Sequence, residues 1–236
     1  MRQSIAQAVR DHGVDTMFGL VGDANLFLAH HFVSGCGGKM VPAAHEGGTV
    51  LMAQAYTQVT GKVGVATVTQ GPGLTNCVTA LREGVVARRP MILLCGDTPV
   101  SAPFHPQNID QREVVKATGA GFEQVKTPET ASRDVANAFY RARKERSPIV
   151  VNIPSDFMWA EVKHQTVVFP YPESASVIAE GPVHEQAIGM IASAKRPLIL
   201  AGAGAVDARD KLIALAERLE APLATKLKGT GLFKGH

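Results

Sequence analysis

Val63-Gly64-Val65-Ala66-Thr67-Val68-Thr69, followed by Gln70-Gly71-Pro72-Gly73-Leu74-Thr75-Asn76, decides how the rest of the chain is read. The first seven residues are small or β-branched and do not alternate with polar ones, as expected of a strand covered on both faces. Gly71-Pro72-Gly73 stops the run, and residues 74–87 resume with the spacing of a helix. Strand, tight glycine turn and helix make up the repeating half of a parallel α/β sheet.

The same unit recurs outward in both directions. Upstream, Ile5, Ala8 and Val9 keep helical spacing until Gly13, Thr16-Met17-Phe18-Gly19-Leu20 reads as a short strand, and Val21-Gly22-Asp23 as a turn. Residues 25–34 then predict a helix, 39–44 a strand and 46–60 a helix. Downstream, 91–95 predicts a strand, and a loop from Gly96 to Asn108 carries Pro99, Pro103, Phe104, His105 and Pro106. A short helix over 109–115, a strand over 122–125, an amphipathic helix over 128–146 with Val135, Ala138 and Phe139 inward, and a strand over 148–153 complete the set. Residues 1–155 thus predict one domain, a doubly wound six-stranded parallel sheet.

Residues 156–182 lose helical period and gain Pro170, Pro172 and Pro182, as a linker does. Residues 183–236 read as helix 184–194, strand 196–201, a glycine turn at 202–205, helix 211–219 and strand 222–225, the start of a second, Rossmann-like α/β domain. Two strands and two helices bury too little to stand alone, so this second domain is expected to be truncated.

With 236 residues, 45% of them hydrophobic, the chain can bury one full core and part of another. A formal charge of +3 and scattered Lys and Arg give no footprint for nucleic acid. The run Arg141-Ala142-Arg143-Lys144-Glu145-Arg146 is expected to be a solvated helix end, where cations suit the helix dipole. Cys36, Cys77 and Cys95 are odd in number and lack a CxxC pair, as reduced thiols in a cytoplasm would be. The N-terminus has no apolar signal core and no stretch is long enough to span a bilayer, so no membrane association is expected and the location expected is cytoplasmic.

Two stretches carry candidate chemistry. In His45-Glu46-Gly47-Gly48 a carboxylate sits where a buried strand gives way to a helix, and burial there is costly unless something binds it. Alone, Glu46 also reads as a solvated first-turn glutamate. Gly71-Pro72-Gly73 lets a ligand approach the backbone at a helix start, or is simply a tight turn. No G-x-G-x-x-G pattern occurs at this turn, and Gly202-Ala203-Gly204 is too short to indicate a dinucleotide.

Taken together, several segments resemble the pyrimidine-binding domain of thiamine diphosphate-dependent enzymes of the acetolactate synthase and pyruvate decarboxylase group. They are residues 14–22, His45-Glu46 with Met52-Ala53-Gln54-Ala55-Tyr56, residues 60–65, Gly71-Pro72-Gly73-Leu74-Thr75-Asn76, and residues 89–97. Residues 196–202 and 220–225 are similar to the start of the central domain of that group. The resemblance implies that Glu46 hydrogen-bonds N1′ of the aminopyrimidine, which prepares removal of the thiazolium C2 proton and attack on a 2-oxo acid. It places Val21, Gly22, Gly71, Pro72, Gly73 and Asn76 against the cofactor, with Gly22 and Asn76 otherwise readable as a turn glycine and a capping residue. It further implies a homodimer or homotetramer, in which this domain faces the diphosphate-binding domain of a second copy.

Gly22-Asp23-Ala24-Asn25-Leu26 is similar to the Gly-Asp-Phe-Asn-Leu of pyruvate and indolepyruvate decarboxylases, which gives Asp23 a catalytic proton-handling role; Asp23 equally suits a helix N-cap. The turn reads Val21-Gly22 where the group has Pro-Gly. Gln107-Asn108-Ile109-Asp110-Gln111 matches the Phe-Gln-Glu segment of acetolactate synthases poorly, so Gln107 and Gln111 are candidate substrate contacts, with His105 a third by similarity to the paired histidines of the decarboxylases. His30 and His31 are expected on a helix surface. The Gly-Asp-Gly segment that, with a downstream Asn, holds Mg²⁺ and the diphosphate in the group does not occur in these 236 residues. No metal ligand is therefore assigned, the chain alone is expected to be inactive, and FAD, bound by some members, is not inferable. The expected reaction is decarboxylation of a 2-oxo acid such as pyruvate with addition to a second carbonyl. The alternatives are a simple 2-oxo acid decarboxylase, or a non-catalytic cofactor-binding subunit of a split enzyme.

Overall fold

A computed structural model describes residues 1–171 and 180–236. The chain divides into two compact units, Met1–Pro172 and Glu173–His236. In the first, α1 (Arg2–Asp11), β1 (Thr16–Gly19), α2 (Leu26–Ser34), β2 (Lys39–Pro42), α3 (Glu46–Thr60), β3 (Gly64–Val68), α4 (Pro72–Thr75) and α5 (Val78–Val86) follow in order. Then come β4 (Met91–Asp97), α6 (Gln111–Thr118), β5 (Gly121–Gln124), α7 (Ala131–Glu145) and β6 (Pro148–Pro154). The six strands are all parallel, in the order β2-β1-β3-β4-β6-β5.

Why this sheet is doubly wound follows from which side chain each strand sends to which face. Met17, Val65, Ile92, Leu94, Ile149 and Val151 point to one core with α1, α2 and α7. Their neighbours Phe18, Ala66, Leu93 and Val150 point to the other, with α3, α5 and α6. Successive residues of a strand face opposite ways, so an apolar run without alternation fills both cores. Met17, Val65, Ile92, Leu93 and Ile149 have no solvent exposure.

α3 begins where expected because His45 caps it, its Nδ1 accepting the Gly47 N–H at 3.1 Å, and it ends at Gly61 in the left-handed conformation, φ +72°. The helix expected over 74–87 is instead two pieces. Pro72 starts the first two residues early, and at its end Cys77 N–H turns to Leu74 O at 2.8 Å, breaking the α ladder. Arg141 is only partly solvated: it donates to Phe122 O at 2.8 Å and pairs with Glu123 at 3.1 Å and Glu145 at 2.8 Å, tying α7 to β5.

The stretch 156–171, read from the sequence as the start of a linker, lies along the first unit. The Met1 ammonium bonds Ala160 O, Arg2 Nη1 donates to Met158 O at 3.0 Å, and Tyr171 Oη donates to Arg143 O at 3.3 Å. His164 Nε2 meets Asp11 Oδ2 at 2.8 Å, with its Nδ1 3.4 Å from both Ser4 and Ser132 Oγ. Residues 172–179 of that expected linker lie outside the described residues.

The second unit holds α8 (Pro182–Ala192), β7 (Ile199–Ala201), α9 (Arg209–Leu219) and β8 (Leu223–Thr225), with β7 and β8 parallel. Among its described residues only Ala201, Ala216 and Gly229 are buried. Val183, Met190, Leu198 and Leu200 stand exposed, so two strands here cover little apolar surface.

Candidate active site

The sheet order reverses between β1 and β3: from β1 the chain goes to β2 on one side, then crosses to β3 on the other. A crevice opens outside the C-terminal ends of strands at such a switch point, and ligands bind there in open α/β sheets. Buried Asn25 builds its floor. It accepts the Gly22 N–H at 2.7 Å and donates to Leu20 O and Thr67 Oγ1, both at 3.1 Å. A Cβ on Gly22 would come within 2.8 Å of Thr69 Cβ, and one on Gly73 within 2.9 Å of Thr69 Cγ2. These glycines are therefore required by the protein's own packing around Thr69.

Glu46 stands in the first turn of α3, where its charge suits the helix N-terminus. Across from it, Asn76, at the C-terminal end of α4, donates Nδ2 to Glu46 Oε2 at 2.9 Å. The two elements touch closely, since a Cβ on Gly47 would lie 3.0 Å from the Asn76 carbonyl oxygen. Glu46 is half-buried, and its Oε1 has no partner among the described residues. Cys77, the next residue, is buried, and desolvation together with the Glu46 carboxylate pushes its thiol up to about 12. Burial also pushes Cys95 well above the ordinary thiol range. All three cysteines are unpaired thiols.

The turn that carries Asn76 is held from beneath by glutamines. Gly71 N–H donates to Gln111 Oε1 at 2.7 Å, and Gln111 Nε2 donates to Asn152 Oδ1 at 2.5 Å and Gly96 O at 3.0 Å. Gln111 is only 3% exposed and its amide is fully engaged, so it braces the Gly71 turn and does not face the open crevice as a substrate contact would. Gln107 is half-buried and accepts from Gln70 Nε2 at 2.7 Å. Pro72 and Val21 are exposed.

A cavity of about 380 Å³ opens beside the turn. Asp23, Phe27, Gln70, His105, Asp156 and Trp159 are among its walls. Asp23 is exposed and caps nothing: the residue before α2 is Asn25, and Asp23 makes no hydrogen bond among the described residues. His105 Nδ1 accepts the Gln107 N–H at 3.2 Å. His30 is exposed on α2, and His31, half-buried there, is held below the usual imidazole range by burial and nearby Arg2.

The structure thus brings Glu46 and Asn76 into contact, places Asp23 and His105 on one cavity, and moves Gln111 inward. Asn25, Thr69, Gln70, Asp156 and Trp159 were not singled out from the sequence. Ser155 and Asp156 follow directly on the end of β6, at the edge where parallel sheets hold their sites, and that position was the available signal.

A carboxyl held through one oxygen and open at the other can take a ring nitrogen of an aminopyrimidine, so these residues fit that end of thiamine diphosphate. No group of three His, Cys, Asp or Glu side chains able to hold a metal occurs among the described residues. Two family models match the chain: the thiamine pyrophosphate enzyme N-terminal TPP binding domain over residues 1–114, and the central domain of the same enzymes over 184–236. A probable 2-ketoarginine decarboxylase of Pseudomonas aeruginosa is 31% identical over 98% of the chain and 42% of its own length. The acetolactate synthase large subunit of Haemophilus influenzae is also 31% identical, with the same two coverages. A sulfoacetaldehyde acetyltransferase of Rhodobacter capsulatus is 28% identical over 99% of the chain and 40% of the relative. The chain spans about two-fifths of the length of these curated relatives. With two domains of one family matched in order, the first over a stretch that includes Glu46, the chain belongs to the thiamine pyrophosphate enzymes.

Proposed function

We propose that the chain forms the N-terminal portion of an acetolactate synthase-like enzyme that decarboxylates a 2-oxo acid such as pyruvate and joins the product to a second carbonyl. The observation that carries the cofactor role is the Glu46 carboxyl, fixed by Asn76 at 2.9 Å through Oε2 and open at Oε1. Thiamine diphosphate, when bound, supplies the carbon nucleophile and the electron sink for decarboxylation. Glu46 holds or releases a proton at Oε1 toward the pyrimidine ring, while Asn76 keeps the carboxyl from rotating. Gly22 and the Gly71-Pro72-Gly73 turn would line the pyrimidine end of the bound cofactor. Mg²⁺ and the diphosphate are held by residues outside this chain, so the chain alone does not turn over substrate.

The same proposal includes a second copy of the chain, in a dimer or tetramer, facing Glu46. Val21, Leu51 and Val78, apolar and 46%, 49% and 36% exposed, support such a contact. No helix among the described residues is long and apolar enough to cross a membrane, and the three free thiols support a cytoplasmic location. A second reading, a simple 2-oxo acid decarboxylase, is favoured by Asp23, whose unpartnered carboxylate faces the cavity and is free to move a proton during product release. Product analysis with pyruvate separates acetolactate from aldehyde. Glu46→Gln in the full-length enzyme should abolish exchange of the cofactor's C2 proton; unchanged exchange refutes the role given to Glu46.

A further inference from the structure

The Asp156 carboxylate is an uncompensated charge at the wall of the cavity. Its Oδ2 accepts only long bonds from Ser101, N–H at 3.3 Å and Oγ at 3.4 Å. Its Oδ1 is buried with no hydrogen-bond donor. Among the described residues no Lys, Arg or His pairs with Asp156 or with Asp23, the second carboxylate on the same cavity. Arg2 lies 4.7 Å from the Trp159 ring centroid, but its Nη1 goes to Met158 O. An unsatisfied buried oxygen on a charged group costs stability unless a ligand meets it.

The other walls have the matching character. Phe27 and Trp159 meet edge to face at 4.7 Å and 62°, both are partly exposed, and aromatic faces attract cations. A planar guanidinium stacks on such rings and offers several donors to a carboxylate, whereas a neutral alkyl tail would leave the charge of Asp156 desolvated and unmet. The cavity, at about 380 Å³, has room for a tail of a few carbons ending in that group. Gln70 is both a wall of the cavity and the residue before Gly71, so the cavity adjoins the turn that carries Asn76.

We infer that this cavity selects a cationic, guanidinium-type tail on the substrate. That the tail belongs to a 2-oxo acid rests on the function proposed above; the preference for a cation does not. Trp159 is the only tryptophan of the 236-residue chain, so its emission reports occupancy directly. Titration with butylguanidinium should give a saturable change, and butylurea, its neutral isostere, should bind about tenfold more weakly or worse, the worth of one charge-assisted hydrogen bond. Asp156→Asn, checked for native circular dichroism, should erase the difference between the two probes. Added salt should weaken butylguanidinium and not butylurea in the unsubstituted chain, a readout independent of any variant's folding. Equal responses to the two probes, no saturable response to butylguanidinium, or a preference that survives Asp156→Asn or is insensitive to salt would overturn the inference. Since neither probe requires cofactor, normal C2 exchange in Glu46→Gln with intact guanidinium binding would refute the function and leave the cavity's preference standing.

Discussion

Gly71→Ala should be among the most damaging single-methyl additions in the first unit. Gly71 adopts φ +56°, ψ −111°, a region open to glycine and closed to other L residues. A Cβ placed there lies 2.4 Å from the Gln107 carbonyl oxygen and 3.1 Å from Gln107 Cβ. The turn cannot swing aside freely, because Gly71 N–H is fixed to buried Gln111 at 2.7 Å. Backbone strain of about 1–3 kcal/mol adds to about 1–3 kcal/mol for relieving the overpacked contact, so the loss is roughly 2–6 kcal/mol. Gly61→Ala is the control: φ is +72° at the end of α3, but nothing lies within 4 Å of an added Cβ, and the cost is about 1 kcal/mol. Urea unfolding of both variants measures the difference as a shift in midpoint at constant slope. If Gly71→Ala is no less stable than Gly61→Ala, the close approach to Gln107 does not constrain the turn and the reasoning fails. Gly71 also precedes α4, whose far end presents Asn76 to Glu46, so Gly71→Ala should weaken cofactor binding in the full-length enzyme while Gly61→Ala leaves it intact.

Two further outcomes are expected. Gln111→Leu keeps the volume but leaves Gly71 N–H and Asn152 Oδ1 without their partner, a loss of about 2–4 kcal/mol in urea unfolding; a loss well under 1 kcal/mol would show that Gln111 braces nothing. The second concerns acid stability: burial opposes the charge of Asp11, but hydrogen bonds from Gln7 and His164 outweigh it and hold the carboxyl below its ordinary value. A depressed folded-state value means stability that is present above about pH 4 and lost as pH falls through that lower value. Asp11→Asn should therefore flatten the acid limb of the stability profile, and an unchanged limb would sink the assignment.

The sheet was legible in the sequence because its strands are apolar on both faces, a pattern that needs no knowledge of neighbours. The break between α4 and α5 was not, since residues 74–87 keep helical spacing throughout while Pro72 and the Cys77 to Leu74 bond decide where the ladder stops. The docking of 156–171 left no local trace either: Met1 meets Ala160 and Asp11 meets His164 across most of the first unit's sequence. The position of Glu46 in the first turn of α3 was legible from the strand-to-helix junction before it. Gln111 was misplaced for the opposite reason: its partner Asn152, linked in turn to Asp97 by a 2.6 Å bond, comes from β6, far along the chain, and turns the amide inward.

That contrast also bears on why the carboxylates at this edge differ in what they can do. In a parallel sheet wound with helices, the C-terminal ends of the strands meet the N-terminal ends of the helices, and the helix dipoles there favour anions. Asp110 uses that position as a cap, accepting the Glu113 N–H at 3.1 Å, and Glu46 occupies the first turn of α3 with Asn76 as a further donor. Asp97, at the end of β4, is satisfied by Thr98 N–H at 2.8 Å and by Asn152. Asp156 has weaker support, only the long bonds from Ser101 N–H and Oγ at 3.3 and 3.4 Å. It lies in the first turn of the short 3-10 segment Ser155–Trp159, and one of its oxygens is buried without a donor. If the edge were merely tolerant of acids, Asp156 would have acquired a capping role like Asp110; its lack of compensation, beside two aromatic rings, is what points to an external cation.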